Sequence, residues 1–200
     1  MDRDTKIRDV KKWRACFPKA RCANVVGNPD LVDADLASLN GVEEVHLDLG
    51  GCRRITDAGL AHLTGIHTLN MEGCERITDA GLAHLTGIHT LDMFNCVITD
   101  AGLAHLTGIH TLDMSGWNMQ ITDAGLAHLT GIHTLNTNGC AQITDAGLAH
   151  LTGIHTLNTS GCAQITDAGL VHLTGIHTLW MFCCDPATIA AARALRLLVF

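Results

Sequence analysis

The chain has 200 residues and a formal net charge of −7, with 47% hydrophobic residues but only 4% aromatic residues and no tyrosine. No apolar run approaches the roughly 18 residues that a membrane-spanning helix needs, so no membrane association is predicted. The first residues also lack the apolar segment of a secretory signal peptide.

The charge is distributed unevenly. Residues 1–22 carry eight Lys or Arg and three Asp, whereas residues 23–200 carry five Arg and seventeen Asp or Glu. Between Ile77 and Ala192 there is no Lys or Arg at all. Because such a stretch should repel phosphate groups, we expect no nucleic-acid partner.

The N-terminal residues predict an amphipathic helix from Thr5 to Phe17. Apolar residues recur there every three or four positions, at Ile7, Val10 and Trp13, and Pro18 ends the run. Residues 1–22 are therefore predicted to cap an open end of the core that follows. The alternative is a basic arm that binds an acidic partner.

A fifteen-residue string, Ile-Thr-Asp-Ala-Gly-Leu-Ala-His-Leu-Thr-Gly-Ile-His-Thr-Leu, dominates the rest of the chain, and Val171 is its only substitution among six copies. The copies begin at Ile55, Ile77, Ile98, Ile121, Ile143 and Ile165. Residues 23–39 are predicted to form a degenerate copy of the same unit. A fixed period of this length indicates a solenoid, because one unit cannot bury its own apolar face.

Each unit predicts one strand and one short helix. Leu69 and Met71 alternate with polar residues, which is typical of a half-buried strand. Thr78 or Asp79 can cap the following helix, and Gly87 lies where a left-handed C-cap is expected. Gly81 inside the helix predicts a close approach of neighbouring backbones.

These units predict an α/β fold, a right-handed horseshoe with a parallel sheet on the concave face and short helices on the convex face. Parallel strands stack about 4.8 Å apart, whereas packed helices need about 8–10 Å, so the stack must curve. The repeats are expected over residues 23–184 and a C-terminal cap over 185–200. Within this cap Pro186–Leu195 should be helical, and Leu197–Phe200 either adds a strand or pairs with another chain.

The pattern Ile66-x-x-Leu69-x-Met71-x-x-Cys74-x-x-Ile77 resembles the leucine-rich repeat family. The cysteine and the Ile-Thr-Asp-x-Gly-Leu string are similar to the cysteine-containing subtype of F-box/LRR proteins. This resemblance implies a protein-interaction module, often the substrate-recognition part of a ubiquitin ligase. Val10-Lys-Lys-Trp13-Arg14 also resembles the closing helix of an F-box, which would imply a ligase adaptor as a partner, but the front of that domain is missing.

One position of each unit forms a ladder, which is expected to satisfy turn backbone groups that would otherwise be buried unpaired. The ladder residues are Asn28, Cys52, Cys74, Cys96, Cys140, Cys162 and Cys184. After the fourth predicted strand, around Leu112, Trp117 takes this slot, which predicts a local bulge with Asn118 in the ladder role. Equivalent thiols in successive repeats indicate reduced cysteines, hence an intracellular protein, cytoplasmic or nuclear.

Differences between the copies concentrate on one predicted face, which suggests a surface that recognises a protein partner. The candidate partner-binding residues are Asp48, Asn70, Glu72, Asp92, Phe94, Asn95, Asp113, Ser115, Asn136, Asn138, Asn158, Ser160, Trp180 and Phe182. The acidic members favour a partner with a basic surface. Trp180 and Phe182 are either an exposed hot spot or covered by the C-terminal cap. The alternative for the whole face is neutral sequence drift at positions where packing does not restrict the residue type.

Twelve histidines fall into two registers. They are His62, His84, His105, His128, His150 and His172 on the helices, and His67, His89, His110, His133, His155 and His177 before the strands. The helix register should be spaced about 8–10 Å, too far for one ion, and no carboxylate or thiol completes a site in the strand register, which is spaced about 5 Å. No metal and no cofactor are therefore predicted, and a metal-binding or pH-responsive histidine array is a remote alternative.

No catalytic arrangement stands outside the repeated scaffold, so no enzyme is predicted. The main alternative to a binding module is a structural or consensus-type repeat scaffold with no specific ligand. Thr137 and Thr159 stand where Met71 and Met93 face the core, which predicts that the fifth and sixth full repeats are the softest.

Overall fold

A computed structural model describes residues 6–26, 28–40, 42, 44–116, 120–182 and 186–194 of the chain. Within these residues, nine strands form one parallel sheet in chain order. The strands are β1 (Lys6–Ile7), β2 (Cys22–Val25), β3 (Glu44–Asp48), β4 (Thr68–Asn70), β5 (Thr90–Asp92), β6 (Thr111–Asp113), β7 (Thr134–Asn136), β8 (Thr156–Asn158) and β9 (Thr178–Trp180). The predicted α/β leucine-rich-repeat solenoid is confirmed.

Short helices alternate with the strands. They are α1 (Val10–Cys16), α2 (Asp33–Leu36), α3 (Asp57–Leu60), α4 (Asp79–Leu82), α5 (Asp100–Leu103), α6 (Asp123–Leu126), α7 (Asp145–Leu148), α8 (Asp167–Leu170) and α9 (Pro186–Ala194). Each of α2 to α8 continues as a three-residue 3-10 turn, such as Ala83–Leu85 after α4. None of the helices in the described ranges is long and apolar enough to span a bilayer.

The repeat unit folds as its apolar pattern predicts. In β4 the side chain of Leu69 is buried while those of Thr68 and Asn70 are half-buried, and Leu69 is in register with Leu91 of β5. The hydroxyl of Thr78, not the side chain of Asp79, caps α4 by accepting the N–H of Ala80. Leucines from strands and helices then form one continuous core.

An Asp–Thr ladder joins the helix starts of successive repeats. The Asp57 carboxylate accepts the backbone N–H of Thr78 at 2.8 Å and its hydroxyl at 2.7 Å. A Cβ on Gly81 would collide with Oδ1 of Asp57, so the predicted backbone approach is wrong: the glycine makes room for a side chain. The pairs are Asp33–Thr56, Asp57–Thr78, Asp79–Thr99, Asp100–Thr122, Asp123–Thr144 and Asp145–Thr166.

The cysteine ladder satisfies backbone carbonyls, as predicted. The thiol of Cys74 donates to the carbonyl of Leu49 at 3.2 Å, and that of Cys96 donates to the carbonyl of Met71 at 3.1 Å. Cys52, Cys140 and Cys162 make equivalent bonds to the preceding repeat. Burial raises the pKa of the Cys74 thiol to about 12, which keeps it protonated as a donor. The predicted roles of Trp117, Asn118 and Cys184 lie outside the described residues.

The first residues depart from the prediction. The helix begins at Val10, where Asp9 caps it by accepting the N–H of Lys12, whereas Ile7 belongs to β1 and pairs with Val25. The predicted start at Thr5 lies outside the described residues, and Ile7 is a buried strand residue rather than a helical one. At the other terminus α9 ends at Ala194, and residues 195–200 are not described.

The two core threonines are buried with their hydroxyl groups bonded. Oγ1 of Thr137 donates to the carbonyl of Asn158 at 2.8 Å, and Oγ1 of Thr159 donates to that of Trp180 at 3.4 Å. These bonds reduce the desolvation cost on which the predicted softness of the fifth and sixth full repeats depends. The softness itself stays a prediction.

Candidate binding surface on the strand face

The side chains that leave the sheet opposite the core form three columns, which we call the strand face. It corresponds to the predicted concave face, because alternate strand residues point to opposite sides. The first column is Thr68, Thr90, Thr111, Thr134, Thr156 and Thr178; the second is Asp48, Asn70, Asp92, Asp113, Asn136 and Asn158; the third is Gly50, Glu72, Phe94, Ser115, Asn138, Ser160 and Phe182.

Every member of the second column bends the chain as it leaves the strand. The Oδ1 atom of Asp48 accepts the N–H of Gly50 at 2.9 Å, and Oδ1 of Asn158 accepts the N–H of Ser160 at 3.0 Å. The four members between them make the same bond, at 2.9 to 3.1 Å. Asp and Asn supply the same acceptor for such a turn, so the restriction of this column to these two residues has a structural cause.

The last repeat replaces this turn. In β9 the half-buried Trp180 stands at the position that Asp or Asn holds in the other strands, and the N–H of Phe182 donates to the hydroxyl of Ser160 at 3.0 Å instead. Phe182 itself is 59% exposed, whereas Trp180 is not. Of the two predicted aromatic contacts, Phe182 is therefore the more accessible.

For three of the predicted site residues, burial or backbone conformation gives a structural reason for the residue type. Ser115 and Ser160 are only 5% and 4% exposed, so they offer little surface, and their role in partner binding stays a prediction. Asn95 has a positive φ of 56°, at a position where the equivalent Gly73 has 64°, and asparagine tolerates this backbone better than most residues do. Glu72 and Asn138 remain exposed, and Phe94 is half-buried.

The carboxylates of the strand face lie close enough to influence one another. Partial burial raises the pKa of Asp92, and repulsion from Asp113, Glu72 and Asp48 adds to the effect, while the N–H of Phe94 opposes it. None of the three columns contains Lys or Arg. The negative charge of Asp113 is partly compensated, because its Oδ2 accepts a hydrogen bond from the side-chain amide of Asn136 at 2.8 Å.

A groove of about 550 Å³ opens at the N-terminal half of this face. Its lining includes Asp48, Asn70, Glu72, Glu75 and Asn95 together with one cation, Arg53. Arg53 and Glu75 form an exposed ion pair of 3.5 Å. The sequence did not single out Arg53 or Glu75, although both lie in the variable loops between copies.

The strand-side histidines form one continuous stack, which we call the histidine column. It consists of His67, His89, His110, His133, His155 and His177. Each ring centroid lies 4.5 Å from the next, with interplanar angles of 10° to 14°. Among the described residues, no group of three or more His, Cys, Asp or Glu is placed to hold a metal ion.

Comparison with known proteins agrees with this architecture. The Leucine Rich repeat profile matches residues 45–64 and 84–106. An internalin from Listeria monocytogenes is 25% identical and superposes with a TM-score of 0.64 over 89% of this chain. The fold is that of a leucine-rich repeat protein. This chain spans 51% of that internalin, and no protein of curated function matches the sequence significantly.

Two other solved leucine-rich repeat structures are similar in fold. Yeast Rad7, solved in a complex with Elc1, has a TM-score of 0.54 at 12% identity, covering 86% of this chain and 66% of its own. TLR13, solved in a complex with ssRNA13, has a TM-score of 0.67 at 14% identity, covering 100% of this chain and 30% of its own. At these identities the likeness concerns the fold alone.

Proposed function

We propose that this leucine-rich repeat protein is a protein-interaction module that binds a basic segment of its partner along the strand face. The observation that carries the proposal is the acidic run of Asp48, Glu72, Asp92 and Asp113 on the strand face, whose three columns contain no Lys or Arg. Burial, with repulsion from the other three carboxylates, raises the pKa of Asp92. A Lys or Arg side chain placed beside Asp92 would relieve that repulsion and form charge-assisted hydrogen bonds. The exposed Glu72 and the groove beside it extend the same acidic surface.

The fold supports a binding role rather than a catalytic one. A solenoid offers an extended surface that one partner segment can follow across several repeats. Among the structures of similar fold, Rad7 is in a complex with Elc1 and Toll with Spatzle, whereas TLR13 is in a complex with ssRNA13. The partner of this chain is proposed from charge: a lysine- or arginine-rich segment that crosses β3 to β6.

Neutralising the strand face without breaking its turns tests the proposal. The triple variant Asp48→Asn, Asp92→Asn, Asp113→Asn removes three charges but keeps each Oδ1 acceptor. Binding of a lysine-rich peptide, measured by calorimetry at low salt, should weaken at least tenfold. Equal affinity for both proteins would contradict a binding strand face.

The opposite variant provides a matched control. Asn70→Asp with Asn158→Asp adds two carboxylates to the same column and again keeps the turns. This variant should bind the peptide more tightly than the wild type does. If both variants bind peptide as the wild type does, the alternative of a repeat scaffold with no specific ligand is favoured.

The finer proposal, recognition of a substrate within a ubiquitin-ligase-like complex, rests on the cysteine pattern and on the Val10–Arg14 helix. Val10 and Trp13 are buried in the solenoid core, so an adaptor would meet the exposed side of α1, which includes Lys11, Lys12, Ala15 and Cys16. Capture of a ligase adaptor by the wild type, lost in Lys11→Glu, Lys12→Glu, would support this role. An intracellular location is proposed on the buried thiols of Cys52, Cys74, Cys96 and Cys140, which hydrogen-bond to backbone carbonyls rather than forming disulfides.

A further inference from the structure

The histidine column places six titratable rings in direct contact along the sheet. Five successive ring pairs are each separated by 4.5 Å. Within each repeat, Nδ1 lies 3.0 to 3.3 Å from the hydroxyl of the threonine that follows, as between His155 and Thr156. Each imidazole is therefore held by its own repeat while it stacks on those of the neighbouring repeats.

Stacked imidazoles cannot all be charged without repulsion. Two imidazolium ions at 4.5 Å lie well within the screening length of about 8 Å at physiological salt, so each protonated ring opposes protonation of the next. In agreement, the pKa of His155 is lowered by desolvation and by the charges of His133 and His177.

At His155 the neighbouring charges add to this repulsion and do not offset it. The electrostatic partners of His155 are its two neighbours in the column. The helices of the same repeats carry Asp145 and Asp167 and the histidines His150 and His172; Asp145 is bound by Thr166 of the Asp–Thr ladder. On the strand face the second-column residues of β7 and β8 are Asn136 and Asn158, which are uncharged.

The composition of the surrounding chain makes its net charge depend on histidine protonation. Residues 77–192 contain eight Asp, ten His and no Glu, Lys or Arg. Histidine is the one side chain whose ordinary pKa lies between pH 5 and 8. Protonation of these histidines is therefore the only way for this segment to change from a net negative to a net positive charge near neutral pH.

We propose that the histidine column is a proton-responsive element that stabilises the stacked repeats while its rings are neutral and loosens them when they become charged. Charged rings would repel one another at 4.5 Å in the folded column, whereas the histidines of the unfolded chain are separated. Since the folded-state pKa of His155 is lowered, the stability that depends on its neutral ring is fully present above about pH 6.5, the usual histidine pKa, and is lost as the pH falls through the folded-state value. This proposal does not depend on the partner of the strand face.

Two triple variants with equal histidine counts test the role of adjacency. His89→Gln, His133→Gln, His177→Gln leaves three rings with no adjacent pair, whereas His133→Gln, His155→Gln, His177→Gln leaves His67, His89 and His110 in contact. Between pH 7.5 and pH 5.5 the melting temperature of the wild type should fall by several degrees. The melting temperature of the contiguous variant, which keeps His67, His89 and His110 in contact, should fall by part of this amount. That of the alternating variant, which has no adjacent pair of rings, should fall least.

Two controls separate repulsion within the column from general acid effects. His84→Gln, His128→Gln, His172→Gln removes three helix histidines, leaves the column intact and should lose stability as the wild type does. About 1 M salt, where the screening length is near 3 Å, should flatten the wild-type pH dependence. Equal pH dependence in the alternating and contiguous variants would overturn the proposal.

A measurement on the wild type alone covers the case in which a variant fails to fold. Nuclear magnetic resonance titration should find that His155 binds its proton below the usual histidine pKa of about 6.5, because the charges of His133 and His177 oppose its protonation. Titration of His155 at or above that usual value would also overturn the proposal.

Discussion

The carboxylate of Asp57 explains a residue choice in the next repeat. It binds both the N–H and the hydroxyl of Thr78, and in that position it occupies the space beside Gly81. Alanine is ordinarily favoured over glycine inside a helix by about 1 kcal/mol, so glycine in every copy opposes local propensity. The contact between repeats therefore outweighs the preference of a helix for alanine over glycine.

A double-mutant cycle tests this conclusion. Gly81→Ala should destabilise the wild type by about 1–3 kcal/mol because its Cβ meets the Asp57 carboxylate. In an Asp57→Ala background the same substitution should be neutral or stabilising. Urea unfolding of the four proteins gives the coupling energy, and additive effects would show that the two sites are independent.

The charge of Asp92 should affect stability in the opposite direction from a typical surface carboxylate. Its folded-state pKa is raised by burial and by neighbouring carboxylates, so ionisation penalises the folded state. Asp92→Asn should therefore be more stable than the wild type at pH 7, and this advantage should vanish as the pH falls below the folded-state pKa.

Asp92→Ala is the control for this prediction. It removes the same charge but also removes the acceptor for the N–H of Phe94, so it should be less stable than Asp92→Asn at both pH values. Chemical unfolding at pH 7 and pH 4 measures both effects. A constant difference between Asp92→Asn and the wild type at the two pH values would exclude the titration of Asp92 as its cause.

At the scale of elements, no helix of the repeats is long enough to be stable alone. Each of α2 to α8 has four residues before its 3-10 turn, far fewer than the roughly 12–15 that an isolated helix needs. The Asp–Thr ladder and the leucine core therefore fix each helix against its neighbours. The terminal helix α1 differs, because it has one neighbouring repeat and packs Val10 and Trp13 against it.

Substitutions in α1 and just after it measure how much the solenoid depends on this terminal helix. Trp13 is 6% exposed and Phe17 is 46% exposed. Trp13→Ala should cost about 3–5 kcal/mol of unfolding free energy, as for other buried tryptophans, whereas Phe17→Ala should cost less than about 1 kcal/mol. Similar losses for the two variants would show that α1 does not close the core.

The sequence predicted these elements better than it predicted the contacts between them. Period-two and helical patterns located the strand around Leu69 and the cap at Thr78, because those signals are local in the chain. The bond from Thr78 to Asp57 joins residues 21 positions apart, and no local pattern predicts it. The turn role of Asp92 was missed for another reason: the variation between Asp and Asn suggested recognition, although both residues provide the same acceptor.

The whole molecule behaves as a one-dimensional stack, since each repeat contacts its two neighbours. Stability is then expected to be a sum of repeat and interface contributions. The sequence offers a clean test, because Ala141-Gln142 precedes Ile143 as Ala163-Gln164 precedes Ile165. Deleting residues 143–164 therefore creates no new junction.

The shortened protein should fold with an unchanged circular dichroism spectrum per residue. Its urea m-value should fall by roughly a tenth, in proportion to the surface that unfolding exposes. A protein that loses its cooperative transition altogether would show that the removed repeat is required for the fold and is not interchangeable. A second copy of residues 143–164, inserted at the same junction, should raise the m-value by a similar amount.

The turn made by the second column of the strand face also has a consequence for how such a protein can diversify. A one-base change in a codon converts Asp to Asn, and either residue supplies the Oδ1 atom that the turn requires. Successive lineages can therefore alter the charge of this surface one repeat at a time while the backbone stays fixed. The affinity for a charged partner can therefore change, by drift or by selection, without compensating substitutions that restore the fold.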